Sequence, residues 1–248
     1  MSSTRPPEAR ARSAPRRPPR APAAGPAAPD APAPLHSNVH AELSRRFITG
    51  RVVPGSRLST RSLADELGVS QTPVREALSR LAAEGAVQIR SKRRVVVPTM
   101  TEERFAELLR CRELLEPEAA ARALPHIDDK RLRRLERIDD AIGRAIADGD
   151  LHAYMQGNFD FHFLIYDAQP RGILNRLIEI LWLQFGPYMR VVYGRVGTAN
   201  LVDQHEVALR AIGARDAAAL RQAVLADIRD GRGLIGKSGF VYPQAVHL

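Results

Sequence analysis

One cysteine, Cys111, in 248 residues leaves no partner for an intrachain disulfide and fits a reducing cytosol. No apolar run approaches the roughly 18 residues needed to cross a bilayer, and the N-terminus has no apolar segment of the secretory kind. These absences predict a soluble, cytoplasmic chain with no membrane partner. Internal repeats are lacking, as are heptads sustained long enough for a coiled coil. Catalytic equipment is sparse: His205-Glu206 has no second histidine at HExxH spacing, and Cys111 sits mid-helix without an evident partner. The expectation is a protein that is not an enzyme.

Negative charge is scarce only in the first part of the chain. Residues 1–35 hold six Arg against Glu8 and Asp30, and residues 36–98 hold eleven Lys and Arg against five acids. Over the remaining 150 residues the balance is −1, although the whole chain carries +9. A basic segment joined to a neutral one is the footprint of phosphate contact at one end and a different task at the other.

Composition and periodicity divide the chain into four parts. Residues 1–35 contain ten prolines and ten alanines interleaved with arginines, a composition that cannot build a core, so this tail reads as disordered. Residues 36–98 read as three short helices and a two-stranded hairpin. The first helix carries Val39, Leu43 and Phe47/Ile48; the second runs from Thr60 to Leu67, and the third from Ser70 to about Glu84. Two β-like runs, 86–89 and 95–97, flank the basic tip 90–94. Residues 99–230 read as helix throughout, with spans 101–124, 128–147, 150–168, 170–185, 200–212 and 216–230, and a short helix around Tyr188 to Tyr193. Asp128, Asp150 and Asp216 are candidate caps. Residues 231–248 read as a loose tail. The fold class is mostly α: a winged helix-turn-helix with a small β-hairpin wing, then an antiparallel all-helical bundle.

The third helix carries the functional argument. Val74, Leu78 and Leu81, at i, i+4 and i+7, form one apolar stripe, which leaves Gln71, Thr72 and Arg75 on another face. A helix entering the major groove presents its N-terminal side chains to base edges. Arg pairs with guanine there, and Gln with adenine. The stretch Leu63 to Leu78, with Leu81, Glu84-Gly85 and the preceding Pro54-Gly55-Ser56-Arg57-Leu58, resembles the signature of GntR-type regulators. The resemblance implies DNA contacts from Arg61, Ser70, Gln71, Thr72 and Arg75, and from the wing tip at Ser91 and Lys92. It also shows two departures: Gln71 stands where the family usually has Arg, and Lys92 where it usually has Gly.

In the helical part, polar residues occupy core positions. His162 lies on the stripe Met155, Phe159, His162, Ile165, with Asn158 one turn before it; His205 lies among Leu201, Leu209 and Ile212; Asp227 follows Leu220 and Val224. Two imidazoles, a carboxylate and an amide oxygen converging between helices would suit a divalent cation such as Zn, Ni or Mn. The alternative is a set of hydrogen-bonded core residues around an empty polar pocket. Residues 100–230 are similar to the FCD-type ligand-binding domain of the FadR branch, through Arg112-Glu113-Leu114-Leu115-Glu116, Phe161-His162 and Gln204-His205-Glu206. In that branch an Asp and three His bind metal, and this chain has Asn158 and Asp227 at the outer two positions. The resemblance implies a homodimeric repressor on a double-stranded DNA operator, released or strengthened by a small organic acid. Arg112 is either the acid's carboxylate partner or an i,i+4 partner of Glu116.

Two rival readings remain at this stage: a non-specific architectural DNA-binding protein, and a helical metal-dependent hydrolase. The run Gly231 to Ser238 fits the GxxxxGKS phosphate-loop pattern, but that mechanism needs a strand before it and a helix after it. Here a helix precedes it.

Overall fold

The computed structural model describes Met1 and residues 35–91, 94–196 and 204–237. The N-terminal part comprises α1 (Leu35–Ile48), β1 (Arg57–Leu58), α2 (Thr60–Leu67), α3 (Gln71–Ala83), β2 (Gln88–Ser91) and β3 (Arg94–Val96). Helix α1 packs on α3 because Val39, Leu43 and Phe47 on one meet the buried stripe Val74, Leu78 and Leu81 on the other. Each such leucine contributes about 1.5–3 kcal/mol by leaving water. Ser59 caps α2, its hydroxyl accepting from the Ser62 amide at 3.2 Å.

The wing differs from the sequence expectation in strand bounds and in strand number. Ala86 and Val87 are buried and do not pair as a strand. The Ala86 amide bonds the Leu81 carbonyl at 2.9 Å, and Gly85 takes a φ of 76°, which its missing Cβ permits. These residues close α3, so pairing starts only at Gln88. A third strand joins: β1, after the turn at Pro54-Gly55, pairs antiparallel with β3, giving the order β1-β3-β2. Two residues are too few to show an alternation in sequence.

The helical part comprises α4 (Glu102–Ala123), a 3-10 turn (Leu124–His126), α5 (Asp129–Asp148), α6 (Leu151–Tyr166), α7 (Ile173–Val196), α8 (His205–Gly213) and α9 (Ala217–Lys237). The aspartate caps act as the sequence suggests: Asp128 accepts from the Arg131 amide at 2.7 Å, and Asp150 and Asp216 each accept from two amides. Two spans need correction. The helix expected at 170–185 and the short helix at 188–193 are one element, α7, continuous through Pro187. The cause is tertiary: at Gly186 an added Cβ would stand 2.3 Å from the Phe47 carbonyl oxygen, so α7 is clamped against α1 where proline removes one of its own hydrogen bonds. Helix α9 continues to Lys237, past the expected end at 230, so Gly231–Lys237 lie in a helix and form no phosphate loop. Ser238 and the rest of the expected tail, like residues 2–34, lie outside the described residues.

Helix α9 packs on both α4 and α8, α5 lies on α6 and α8, and α7 contacts both α4 and the N-terminal α1. Among the described residues, no helix is long and apolar enough to cross a membrane.

Candidate functional site

The first candidate surface is the N-terminal face of α3. Gln71, Thr72 and Arg75 are exposed, while Pro73, Val74, Ala77 and Leu78 beneath them are buried. The Arg75 guanidinium donates to Gln71 Oε1 at 3.0 Å, which aligns the two polar ends along one face. Ser70 has the extended backbone of an N-cap, yet its hydroxyl makes no capping bond, so the first-turn amides of α3 keep no side-chain partner there. Arg61, in the first turn of α2, is exposed and meets Asp65 only at 4.0 Å. A groove of about 470 Å³ runs between α3 and the wing, lined by Thr60, Arg75, Ser79, Ile89 and Ser91. Arg61, Ser70, Gln71, Thr72, Arg75 and Ser91 are all exposed; Lys92 lies outside the described residues.

The second candidate lies inside the helical part, where α6, α8 and α9 converge. One ligating atom each from His162, His205 and Asp227 falls within 4.8 Å of the others. His162 Nε2 is 3.1 Å from Asp227 Oδ2, and His205 Nε2 is 3.9 Å from Asp227 Oδ1. Asn158 completes the group, its Oδ1 3.1 Å from His205 Nε2. Both imidazoles are buried, and Asp227 is partly buried. All four residues named from the sequence therefore meet.

The outer contacts decide which nitrogens face inward. The Tyr166 hydroxyl donates its one proton to Glu116 Oε2 at 2.9 Å, so at 3.1 Å it accepts from His162 Nδ1–H. His205 Nδ1 donates to Asp139 Oδ1 at 3.2 Å. With Nδ1 of each ring so engaged, Nε2 of each faces into the cluster, toward the oxygens of Asp227 and Asn158. His162 Nε2 is buried and faces Asp227 Oδ2 at 3.1 Å. Burial pushes the Asp227 carboxyl up, but the His162 contact and the charges of His162, His205 and Arg112 outweigh it and hold the pKa at about 2. A carboxylate facing two imidazole nitrogens at this spacing suits positive charge at the centre. The donor set fits a cation, with each histidine's second nitrogen bonded to an orienting oxygen.

Arg112 stands behind this cluster and is 5% exposed. Its Nε and Nη2 donate to Glu116 at 2.5 and 3.2 Å, so the i,i+4 partner foreseen as one of its two alternatives is the contact observed. Its guanidinium carbon lies 4.5 Å from the centre of the Trp182 ring and 4.4 Å from that of Phe185. Burial disfavours its charge, and the Glu116 carboxylate more than restores it. Asp139, Tyr166 and Trp182 went unnoticed in the sequence. An Asp on an amphipathic helix reads as solvated, and an aromatic on an apolar stripe reads as core.

Residues 35–97 match the family model for bacterial regulatory proteins, gntR family, and residues 107–230 match the FCD domain. The HTH-type transcriptional regulator McbR of Escherichia coli (strain K12) is 32% identical over 185 residues, covering 73% of this chain and 84% of that one. The gluconate operon transcriptional repressor of Bacillus subtilis (strain 168) is 28% identical over 193 residues, covering 74% and 77%. Among solved structures, E. coli McbR/YncC has a TM-score of 0.77 at 29% identity, covering 82% of this chain and 98% of that one. A GntR transcriptional regulator from Rhodococcus sp. RHA1 gives 0.65 at 22% identity, covering 83% and 99%, and supports the fold alone.

Proposed function

Because the chain belongs to the GntR family of bacterial regulatory proteins, with an FCD domain behind its winged helix-turn-helix, we propose that it is a repressor controlled by a small organic acid. As a transcriptional regulator it is not an enzyme, in keeping with the regulators named above. The observation that carries the DNA reading is the exposed, aligned pair Gln71 and Arg75 at the uncapped start of α3. In a major groove, Arg75 would address guanine and Gln71 adenine, while Arg61, Ser70 and Thr72 hold phosphates and the wing tip at Ser91 and Lys92 reaches the minor groove.

The convergence of His162, His205 and Asp227 supports a metal in the helical domain. Asn158, His162, His205 and Asp227 would hold it, with the amide of Asn158 the weakest ligand. A divalent cation of the Zn, Ni or Mn type would supply a Lewis-acidic centre for the oxygens of an organic acid. Arg112 spends two of its five N–H donors on Glu116, which leaves donors for the acid's carboxylate. An acid that prefers one arrangement of the domains shifts operator affinity by its differential binding.

A two-fold operator calls for a homodimer. Ile173 (81% exposed) and Leu177 (44%), one turn apart on α7, and Leu114 (58%) on the neighbouring α4 leave large apolar side chains in water. A second copy of the chain is the occupant we assign to them.

Gel-shift and footprinting on DNA from the gene's own upstream region, against a scrambled duplex over a salt series, test the reading. A protected palindrome bound well above the control supports it. Equal binding of both duplexes, weakening steeply with salt, would identify an architectural protein instead.

A further inference from the structure

Helix α7 faces the candidate metal centre at one turn and the winged helix-turn-helix at the next. The ring of Trp182, the sole tryptophan, has its centroid 5.5 Å from that of His162, 5.9 Å from Phe159 and 5.6 Å from Phe163. A second route from the same centre ends on the same ring: Asp227 meets His162, His162 bonds Tyr166, Tyr166 bonds Glu116, and Glu116 holds Arg112 over Trp182. The indole N–H is buried and makes no hydrogen bond, so packing alone fixes the ring.

Within about 9 Å of helix beyond Trp182, α7 grips the DNA-binding part at several points. Gln184 donates to the Glu84 carbonyl at 3.0 Å, at the end of α3, and accepts from Arg104 at 2.5 Å. Gly186 brings the α7 backbone against the carbonyls of Phe47 and Ile48 at the end of α1. The Tyr188 hydroxyl donates to the Pro98 carbonyl at 2.6 Å, just beyond β3. Cavities of about 560 Å³ and 400 Å³ adjoin α7 at this junction, one reached by Ser44, Phe159 and Leu183, the other by Ala86, Gln184 and Tyr188. Close-packed interiors resist displacement, and such space lets one helix tilt without forcing side chains off their rotamers.

We propose that Trp182 is the positioning residue that couples the His162 cluster to the DNA-binding part, by setting where α7 holds the ends of α1 and α3 and the base of the wing. The inference rests on the regulator reading only in that the helical domain must communicate with the winged helix-turn-helix. A change at His162 displaces the Trp182 ring, and α7 carries that displacement to Phe47, Glu84 and Pro98.

Amide hydrogen exchange on the full chain tests this, with two separate perturbations of the cluster: addition of Zn²⁺, and the substitution Asp227→Asn. In the otherwise wild-type chain, Asp227→Asn should change exchange around residues 47–50, 84–86 and 98–100 by roughly threefold or more, and Zn²⁺ should act on the same segments. In Trp182→Phe, which keeps an aromatic ring, the change should stay at the cluster and vanish at those segments. Gln184→Met, which leaves the cluster untouched, should abolish it around 84–86 and serves if Trp182→Phe is unstable. Propagation that survives Trp182→Phe would overturn the proposal, as would a junction unmoved by Asp227→Asn; where Trp182→Phe does not fold, propagation to 84–86 that survives Gln184→Met would overturn it. An unchanged Trp182 fluorescence and no heat on Zn²⁺ addition, with Asp227→Asn still propagating, would remove the metal from the functional reading and leave the coupling standing.

Discussion

The roles proposed for Arg75 and His162 each rest on one end of a side chain whose other atoms are ordinary helix surface or core. Arg75→Ala should weaken operator binding by about 1–3 kcal/mol while leaving a scrambled duplex much less affected, because only the specific complex uses a base edge. Competition gel shifts measure both. At the proposed metal centre, Asp139 is none of the four candidate ligands, yet it meets His205 at Nδ1. Asp139→Asn should therefore lower Zn²⁺ affinity roughly 10–100-fold by calorimetry, with an unchanged circular dichroism spectrum. Retained affinity would mean that His205 needs no orienting carboxylate. Asn158 and His162 were legible as a pair because i,i+4 residues share a helix face. Asp139 and Tyr166 were not, since nothing in the periodicity of α5 or α6 says which histidine each will meet.

At the scale of elements, α7 shows how packing overrides a local breaker. Pro187 predicted an interruption, and contact with α1 holds the helix through it. Gly186→Ala sets two effects against each other: alanine favours a helix by up to about 1 kcal/mol, but its Cβ would stand 2.3 Å from the Phe47 carbonyl oxygen. Backbone cannot yield as a side-chain end can, so a net loss of about 1–3 kcal/mol is expected in urea denaturation. The joint between the end of α1 and α6 is expected to be pH-sensitive. Burial and the Arg51 guanidinium, 2.5 Å from Nε2, hold the His152 imidazole below its ordinary pKa of 6.5. The folded state therefore binds fewer protons than the unfolded one, and this contribution is present above that value and lost as pH falls through it. Melting temperatures measured from about pH 7.5 down to about pH 5.5 should fall further for the wild type than for His152→Gln. Equal slopes would show that the contact is not formed in solution.

For the whole molecule, the proposed operator binding and the proposed dimer stand together. Leu177→Glu places a charge in the exposed apolar stretch of α7 and should convert a dimer to monomer in light scattering. Binding to a two-fold site should fall with it, since one half-site contact is lost. A monomeric wild type, or a dimer that tolerates the substitution, would move the interface elsewhere.

Residue order alone was enough for the winged helix-turn-helix, the run of helices behind it and the division of charge between them. Those properties depend on neighbours a few positions apart, through caps, apolar stripes and local composition. Packing decided the rest. The third wing strand, the continuity of α7, the meeting of His162, His205 and Asp227 and the stacking of Arg112 on Trp182 all join residues distant along the chain. No periodicity records such meetings, because each arises only when the hydrophobic faces of α4 to α9 have been buried against one another.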